Sequence, residues 1–261
     1  TPIHKHIYIQ WLIEWLAYHY HALPLRELIV LVDPDSKTSP RKILHRWASR
    51  KLMNITVWKD EDIMPKKVKA LPSAFDNNTG VMMHRVRQTN FIRKCVPALR
   101  KRNAKWVMLT DTDEYVLPSY SSWYFLNVTN RIPRTSPGNV LRMLKYHENV
   151  TGTNHTCVYM PRYFFGAKES SPLLVQKGAP KGIDTQKLMT QRFLFRESRQ
   201  NPNGKNLINL ERVARIEKFG GVHKITSVCP ELDKMYEINQ QHAAIVRVHH
   251  YVRHAEDICL L

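Results

Sequence analysis

Two aspartates, Asp111 and Asp113, close an uninterrupted apolar run, Trp106-Val107-Met108-Leu109. The run is short, carries aromatic and β-branched residues, and follows the basic stretch Arg100-Lys101-Arg102. That pattern predicts a fully buried strand of the kind found in parallel sheets. In open α/β sheets, ligands bind beyond the carboxyl ends of strands. Hard oxygen donors at such an end suit Mg²⁺ or Mn²⁺ and, through the ion, a diphosphate. The competing reading is an acidic turn helped by Pro118. Glu114-Tyr115, directly after the pair, weighs toward the functional reading.

A histidine could complete such a site. In Ile245-Val246-Arg247-Val248-His249-His250-Tyr251-Val252 the side chains of a strand alternate between faces. Val246, Val248, His250 and Val252 share the more apolar face, so His250 is expected to point inward. Ile245, Arg247, His249 and Tyr251 share the other. His223, after Gly220-Gly221, is a second candidate ligand. For both, a core histidine with a satisfied hydrogen bond is the plainer alternative.

The elements that must position these residues can be read from periodicity. Residues 7 to 22 carry Ile9, Leu12, Ile13 and Leu16 at helical spacing. Residues 27–32 form a buried strand that ends in Asp33-Pro34-Asp35-Ser36, strong turn chemistry. A helix over 41–52 and a strand over 55–58 complete a βαβ unit, which implies a parallel pair. Residues 65–80 read as a loop. A helix over 83–99, with Pro97 near its end, leads into the Asp111 strand. Strands are expected at 140–146 and 157–163, as antiparallel neighbours, and later at 207–210, 224–228 and 244–252. Residues 166–182 read as a mobile loop.

At 261 residues and 43% hydrophobic, the chain can bury a sizeable core. No stretch approaches the roughly 20 apolar residues of a membrane span. The chain starts at Thr1, so it reads as a piece of a longer protein, with any membrane attachment in a segment outside it. The net charge of +18 suits polyanions, nucleotide diphosphates among them. Cys95, Cys157, Cys229 and Cys259 contain no CxxC pair, which argues against structural zinc, and three disulfide pairings stay open. Glycosylation sequons begin at Asn54, Asn77, Asn127, Asn149 and Asn154. Chance would give about one or two for this composition, so they point to the secretory lumen.

The order of several short motifs resembles the family 92 glycosyltransferases. Glu14-Trp15 with Tyr18-His19 is similar to that family's EW…YH signature. Leu31 to Ser36 resembles its apolar strand and polar turn. Gln88 and Cys95 match its Q…C helix. Trp106 to Pro118 is similar to its W-apolar-DxDE-aromatic segment, the most specific part. Gly204-Lys205-Asn206 resembles its Gly-Lys-Ser region. Val222-His223 and His250-Tyr251 resemble its closing elements.

The resemblance implies a metal-dependent, inverting enzyme of GT-A type. The expected fold class is then α/β: a GT-A-like, Rossmann-type, mostly parallel sheet flanked by helices, with antiparallel additions in the C-terminal half. One domain would span 1–261, with a nucleotide-sugar half at 1–137 and an acceptor-side half at 138–261. The donor would be a UDP-sugar, the transferred group a galactose-like hexose, and the acceptor a glycan in the Golgi or another secretory lumen. Nucleic acid is not an expected partner. Asp113 would hold Mn²⁺ or Mg²⁺ directly, and Asp111 the ion or the donor ribose, with His250 and His223 as further ligands. Asp33 and Asp35 would lie near the nucleoside, and Lys205 or Arg253 near the diphosphate. Where the family often has Glu-Arg-aromatic, this chain has Gln191-Arg192-Phe193. Asp184 is therefore the expected base, with Glu197 next.

Two other classes compete. A non-catalytic lumenal protein of the same fold would bind acidic glycans through its charge. A metal-dependent phosphohydrolase or nuclease would need further carboxylates at strand ends to hold two ions, and the sequence supplies no convincing set.

Overall fold

The structure is a computed structural model that describes residues 2–32, 38–64, 77–119, 132–133, 136–152, 154–166, 188–193, 195–196, 201–213, 229 and 244–251. Its elements in chain order are α1 (Pro2–Ala22), β1 (Glu27–Leu31), α2 (Arg41–Ser49), β2 (Asn54–Trp58), α3 (Asp60–Ile63), α4 (Asn77–Lys101), β3 (Trp106–Met108), β4 (Glu114–Pro118), α5 (Asn139–Thr151), β5 (Cys157–Gly166), α6 (Met189–Arg192), β6 (Phe195–Arg196), β7 (Asn201–Asn209) and β8 (Val246–Tyr251). The fold is mixed α/β.

Helices and strands alternate through β2, and two helices, α3 and α4, then precede β3. β1 and β2 pair in parallel, Glu27 opposite Asn54 through Leu31 opposite Trp58. α2 connects them, which makes the βαβ unit. α4 then leads into β3, with Pro97 inside its last turns.

A second sheet of six strands runs β3-β7-β5-β8-β4, with β6 paired to β5. Here the expected mostly parallel sheet is corrected. Among the described strands, β3–β7, β4–β8, β5–β6 and β5–β7 are antiparallel, while β1–β2 and β5–β8 are parallel. The strands that flank β3 and β4 arrive from the C-terminal half of the chain. Sequence order across so long a separation carries no sign of direction.

A second correction concerns residues 140–146, expected as a strand and found within α5. Val140, Met143, Leu144 and His147 are all buried there, at i, i+3, i+4 and i+7, one face of a helix. Gly138 and Gly152 bound it with φ of +66° and +68°. The expected antiparallel pairing with 157–163 falls with it: β5 pairs with β6, β7 and β8. α1 starts earlier than the periodicity suggested, at Pro2, and α4 starts at Asn77. Residues 167–182 and the expected strand at 224–228 lie outside the described residues.

Three buried clusters pack the layers together. Ile92, Cys95, Val96 and Leu99 of α4 meet Ile29, Val107 and Leu109. α5 and the C-terminal end of α1 meet Val116, Val246 and Val248. Trp11, Leu12, Trp15 and Leu16 of α1 meet Val30, Tyr115 and Tyr251. Full burial of each such large side chain contributes about 1.5–3 kcal/mol. Cys157 and Cys229 form a disulfide across 72 residues, Cys95 is a free buried thiol pushed up to about 12 by burial, and Cys259 lies outside the described residues.

Candidate active site

The turn 109–113 carries the chain from β3 into β4 and sets three carboxylates close together. Glu114 is the centre. Its side chain is fully buried, and Oε2 accepts hydrogen bonds from the Asp111 backbone N–H at 3.0 Å and the Thr110 hydroxyl at 3.1 Å. Lys205 Nζ lies 3.1 Å from the same oxygen and 2.9 Å from Asp111 Oδ2. Arg162 Nη1 donates to Glu114 Oε1 at 3.2 Å. Burial alone would raise the Glu114 carboxyl. Lys205, His250 and Arg162 outweigh it and bring the group down to about 2. Asp111 moves the other way: burial pushes it up, against the pull of Lys205, with Glu114 and Asp113 adding to the rise. Burial would lower the Lys205 ammonium, but Glu114 and Asp111 raise it above its usual range.

Asp113 is 4% exposed. Its Oδ2 sits 3.0 Å from His250 Nε2, while Oδ1 is buried with no hydrogen-bond partner among the described residues. His250 Nδ1 is likewise unpartnered and lies 3.9 Å from Glu114 Oε1. The β4–β8 register explains the geometry, with His250 opposite Glu114 and His249 opposite Tyr115. His249 points away, its ring 4.3 Å from that of Phe165, and burial with Arg247 and Arg196 lowers it to about 3.

The two basic residues arrive by specific backbone devices. Gly204 precedes Lys205 on β7, and a Cβ there would stand 2.2 Å from the Tyr159 ring and 2.6 Å from the Met160 carbonyl oxygen. Only glycine lets β7 close against β5 at that point. On β5 the register shifts between Met160 and Arg162, a bulge that re-aims the following side chain.

α1 holds the other edge of the site. Among the described strands β4 pairs with β8 alone, and side chains of α1 occupy the opposite edge. Trp15 Nε1 donates to the Glu114 carbonyl at 3.0 Å, and the Tyr18 hydroxyl donates to the Val116 carbonyl at 2.8 Å. The Val116 N–H donates to His19 Nε2 at 3.4 Å, and His19 Nδ1 faces the Trp15 carbonyl at 2.9 Å. Glu14 turns to α6, accepting from the backbone N–H of Met189 and Thr190. The Glu14…His19 motif is thus a clamp on the strand that carries Glu114.

This clamp gives a pH dependence. Burial lowers His19 to about 3 from an ordinary value of 6.5. The folded protein therefore refuses a proton that the unfolded chain accepts below pH 6.5. Stability is full above 6.5 and falls as pH drops toward 3. Between pH 7 and pH 4.5 the His19 share of the loss is about 2–3 kcal/mol. Urea unfolding of His19→Gln should show a drop smaller by that amount. An equal drop in both proteins would remove His19 from the account.

Of the residues expected at the site, Asp111, Asp113, Lys205 and His250 are brought together. Asp33, Asp35, Asp184 and His223 lie outside the described residues, as do Glu197 and Arg253. Lys205 is fully buried between two carboxylates, so its visible task is to hold them. Arg162 was not singled out from sequence. An arginine inside the apolar run Cys157–Gly166 is the available signal, because a buried guanidinium demands a carboxylate.

An ion at this place meets a reasonable donor set. Among the described residues, three carboxylates face two fixed cations, Lys205 and Arg162, together with His250, and Asp113 Oδ1 lacks a partner. Among the described residues no three His, Cys, Asp or Glu side chains are grouped to hold an ion alone. Two carboxylates completed by substrate phosphates and water is the usual Mg²⁺ arrangement. Compared with protein-family models, curated proteins and solved structures, the chain matches none.

Proposed function

We propose that the chain is a metal-dependent, inverting glycosyltransferase of GT-A type that moves a galactose-like hexose from a UDP-sugar to a glycan acceptor in the Golgi or another secretory lumen. The observation that carries the reading is the buried Asp113 Oδ1, unpartnered among the described residues, beside Asp111 in the turn after β3. The motif order described above and the five sequons support it. The Cys157–Cys229 disulfide suits an oxidising compartment.

In this reading Asp113 and Asp111 hold Mn²⁺ or Mg²⁺, which when bound neutralises charge on the departing diphosphate. His250 fixes the Asp113 carboxylate through its 3.0 Å contact. Lys205 and Arg162 keep Glu114 ionised, and Glu114 in turn orients the Asp111 backbone. The acceptor hydroxyl oxygen bonds to the anomeric carbon as the bond to the diphosphate breaks, which inverts the centre. The hydroxyl proton goes to a carboxylate base, for which Asp184 is the candidate.

Donor hydrolysis across a panel of nucleotide sugars, with and without Mn²⁺, tests the reading. Metal-dependent hydrolysis of a UDP-hexose is expected, and no turnover or metal-dependent binding of any donor would refute it. Within the same assay, His250→Ala should weaken Mn²⁺-dependent UDP binding about 10–100-fold, the scale for losing a group that orients a ligand. His249→Ala should leave that binding in place. The reverse pattern would assign the wrong histidine.

A further inference from the structure

The outer face of α2 carries charge that the fold does not use. Arg41, Lys42, His45, Arg46, Arg50 and Lys51 are all exposed, and residues 36–58 contain no acidic side chain. Positions 41, 45 and 49 and positions 42, 46 and 50 make two adjacent rows on one side of the helix. Ile43, Leu44 and Trp47 take the opposite side and pack into the core. Lys42, Arg46 and Arg50 stand about 6 Å apart along the axis, from a rise of about 1.5 Å per residue. The result is a convex cationic ridge.

This arrangement costs the helix stability. Arg41 and Lys42 lie in the first turn, at the positive end of the helix dipole, with no acidic residue beside them. Lys42 with Arg46, and Arg46 with Arg50, are like charges at i, i+4, which repel. Among the described residues none of the five Lys and Arg side chains pairs with a carboxylate. α4 is equally free of acidic residues, but its cations are engaged within the fold. Arg87 pairs with Asp60 at 2.9 Å, Lys94 bonds the Asp62 carbonyl, and Arg102, just after the helix, pairs with Glu27. Exposed cations that repel one another and hold nothing inside the protein suit an anion from outside it. One more cation adjoins the ridge: Tyr20 packs edge-on against Trp47 at 5.7 Å, and the exposed Arg26 covers the Tyr20 ring at 3.6 Å.

We propose that this ridge binds a linear sulfated polysaccharide, whose anionic groups run along Arg41, Lys42, Arg46, Arg50 and Lys51. The choice among polyanions rests on the lumenal placement proposed above and on the shape of the face. A membrane-surface helix needs an apolar face to lay into the interface, and that of α2 is already in the core. Anionic lipid is concentrated in the cytoplasmic leaflet. Single-stranded nucleic acid needs aromatic platforms for its bases. The rings beside the ridge, Tyr20 and Trp47, pack on each other, and Arg26 covers the first. A sulfated chain needs only a row of cations.

Titration of a heparin oligosaccharide of defined length, at about 0.15 M salt, tests this. The triple variant Lys42→Gln, Arg46→Gln, Arg50→Gln should bind at least about tenfold more weakly, the scale of three lost exposed ion pairs. The slope of log affinity against log salt should fall by about two. A control triple, Arg100→Gln, Lys101→Gln, Lys145→Gln, removes the same charge from exposed positions elsewhere and should weaken binding less than about threefold. The desulfated oligosaccharide should not bind measurably, and both triples should keep the parent's urea midpoint. Equal losses in the two triples would make net charge the cause and overturn the proposal, as would unchanged affinity in the α2 triple. Single-stranded RNA or phosphatidylserine vesicles bound more tightly than heparin, and lost in the α2 triple, would overturn the partner. No donor or metal enters this titration, so its failure and that of the transfer reading are seen separately. The lumenal placement has its own readout, a gel shift of the secreted protein on endoglycosidase treatment.

Discussion

Glu114→Ala should destabilise the fold by about 3–5 kcal/mol, the scale for breaking a buried ion pair from one side. The carboxylate is fully buried and offsets two buried cations. Removing it leaves Arg162 with no carboxylate within 4 Å among the described residues and Lys205 with Asp111 alone. It also strands the Asp111 backbone N–H and the Thr110 hydroxyl contact. Domains of this kind have about 5–15 kcal/mol in total, so the variant should show a large fall in urea midpoint. Glu114→Gln keeps the acceptor oxygen and the shape, and should recover the hydrogen bonds but not the charge balance. A loss under about 1 kcal/mol in Glu114→Ala would mean that the surrounding charges escape to solvent, and that this network does not hold the turn.

The legible parts of this site are those that a strand's own geometry fixes. An apolar run followed at once by two aspartates can only deliver them at a strand end. The two-residue alternation of β8 separates His250 from His249 without any tertiary knowledge, and the structure brings His250 to Asp113. What failed needed information from distant segments. β3 and β4 are close in sequence, yet they sit at opposite ends of the six-stranded sheet. β7, β5 and β8 lie between them, and their direction is set by packing and not by local pattern. Residues 140–146 misled because a short apolar run fits either period. Extending the window to His147, and marking Gly138 and Gly152 as boundaries, would have shown the helical spacing.

The Glu14…His19 segment shows a different limit. Read as a motif, it suggests chemistry. In the fold, Trp15, Tyr18 and His19 satisfy the free edge of β4, a task any buried edge strand imposes. Glu14 caps α6 next to Gln191, and so ties the same helix to the segment expected near the base. Its role is therefore positional on two sides at once. Sequence spacing shows that these four residues share a helix, but not that Trp15, Tyr18 and His19 bond to the backbone of β4 and Glu14 to that of Met189 and Thr190.

Asp113→Ala should abolish Mn²⁺-dependent UDP binding and leave the fold standing. The contrast with Glu114 is the argument. Asp113 lies in a turn, and among the described residues its side chain bonds His250 through one oxygen and leaves the other unpartnered. Its backbone role, the carbonyl that accepts from the Tyr251 N–H at 3.0 Å, survives the substitution. The stability cost is then that of one lost hydrogen bond, about 1–3 kcal/mol. Asp113→Asn separates shape from charge. It keeps a hydrogen bond to His250 and most of the stability, but lacks the anionic oxygen that a hard cation requires. Titration calorimetry with UDP in Mn²⁺ should therefore detect no metal-dependent binding in either variant, while urea unfolding ranks Asp113→Asn close to the parent protein. Retained Mn²⁺-dependent UDP binding in Asp113→Asn would place the ion elsewhere, and with it the donor diphosphate.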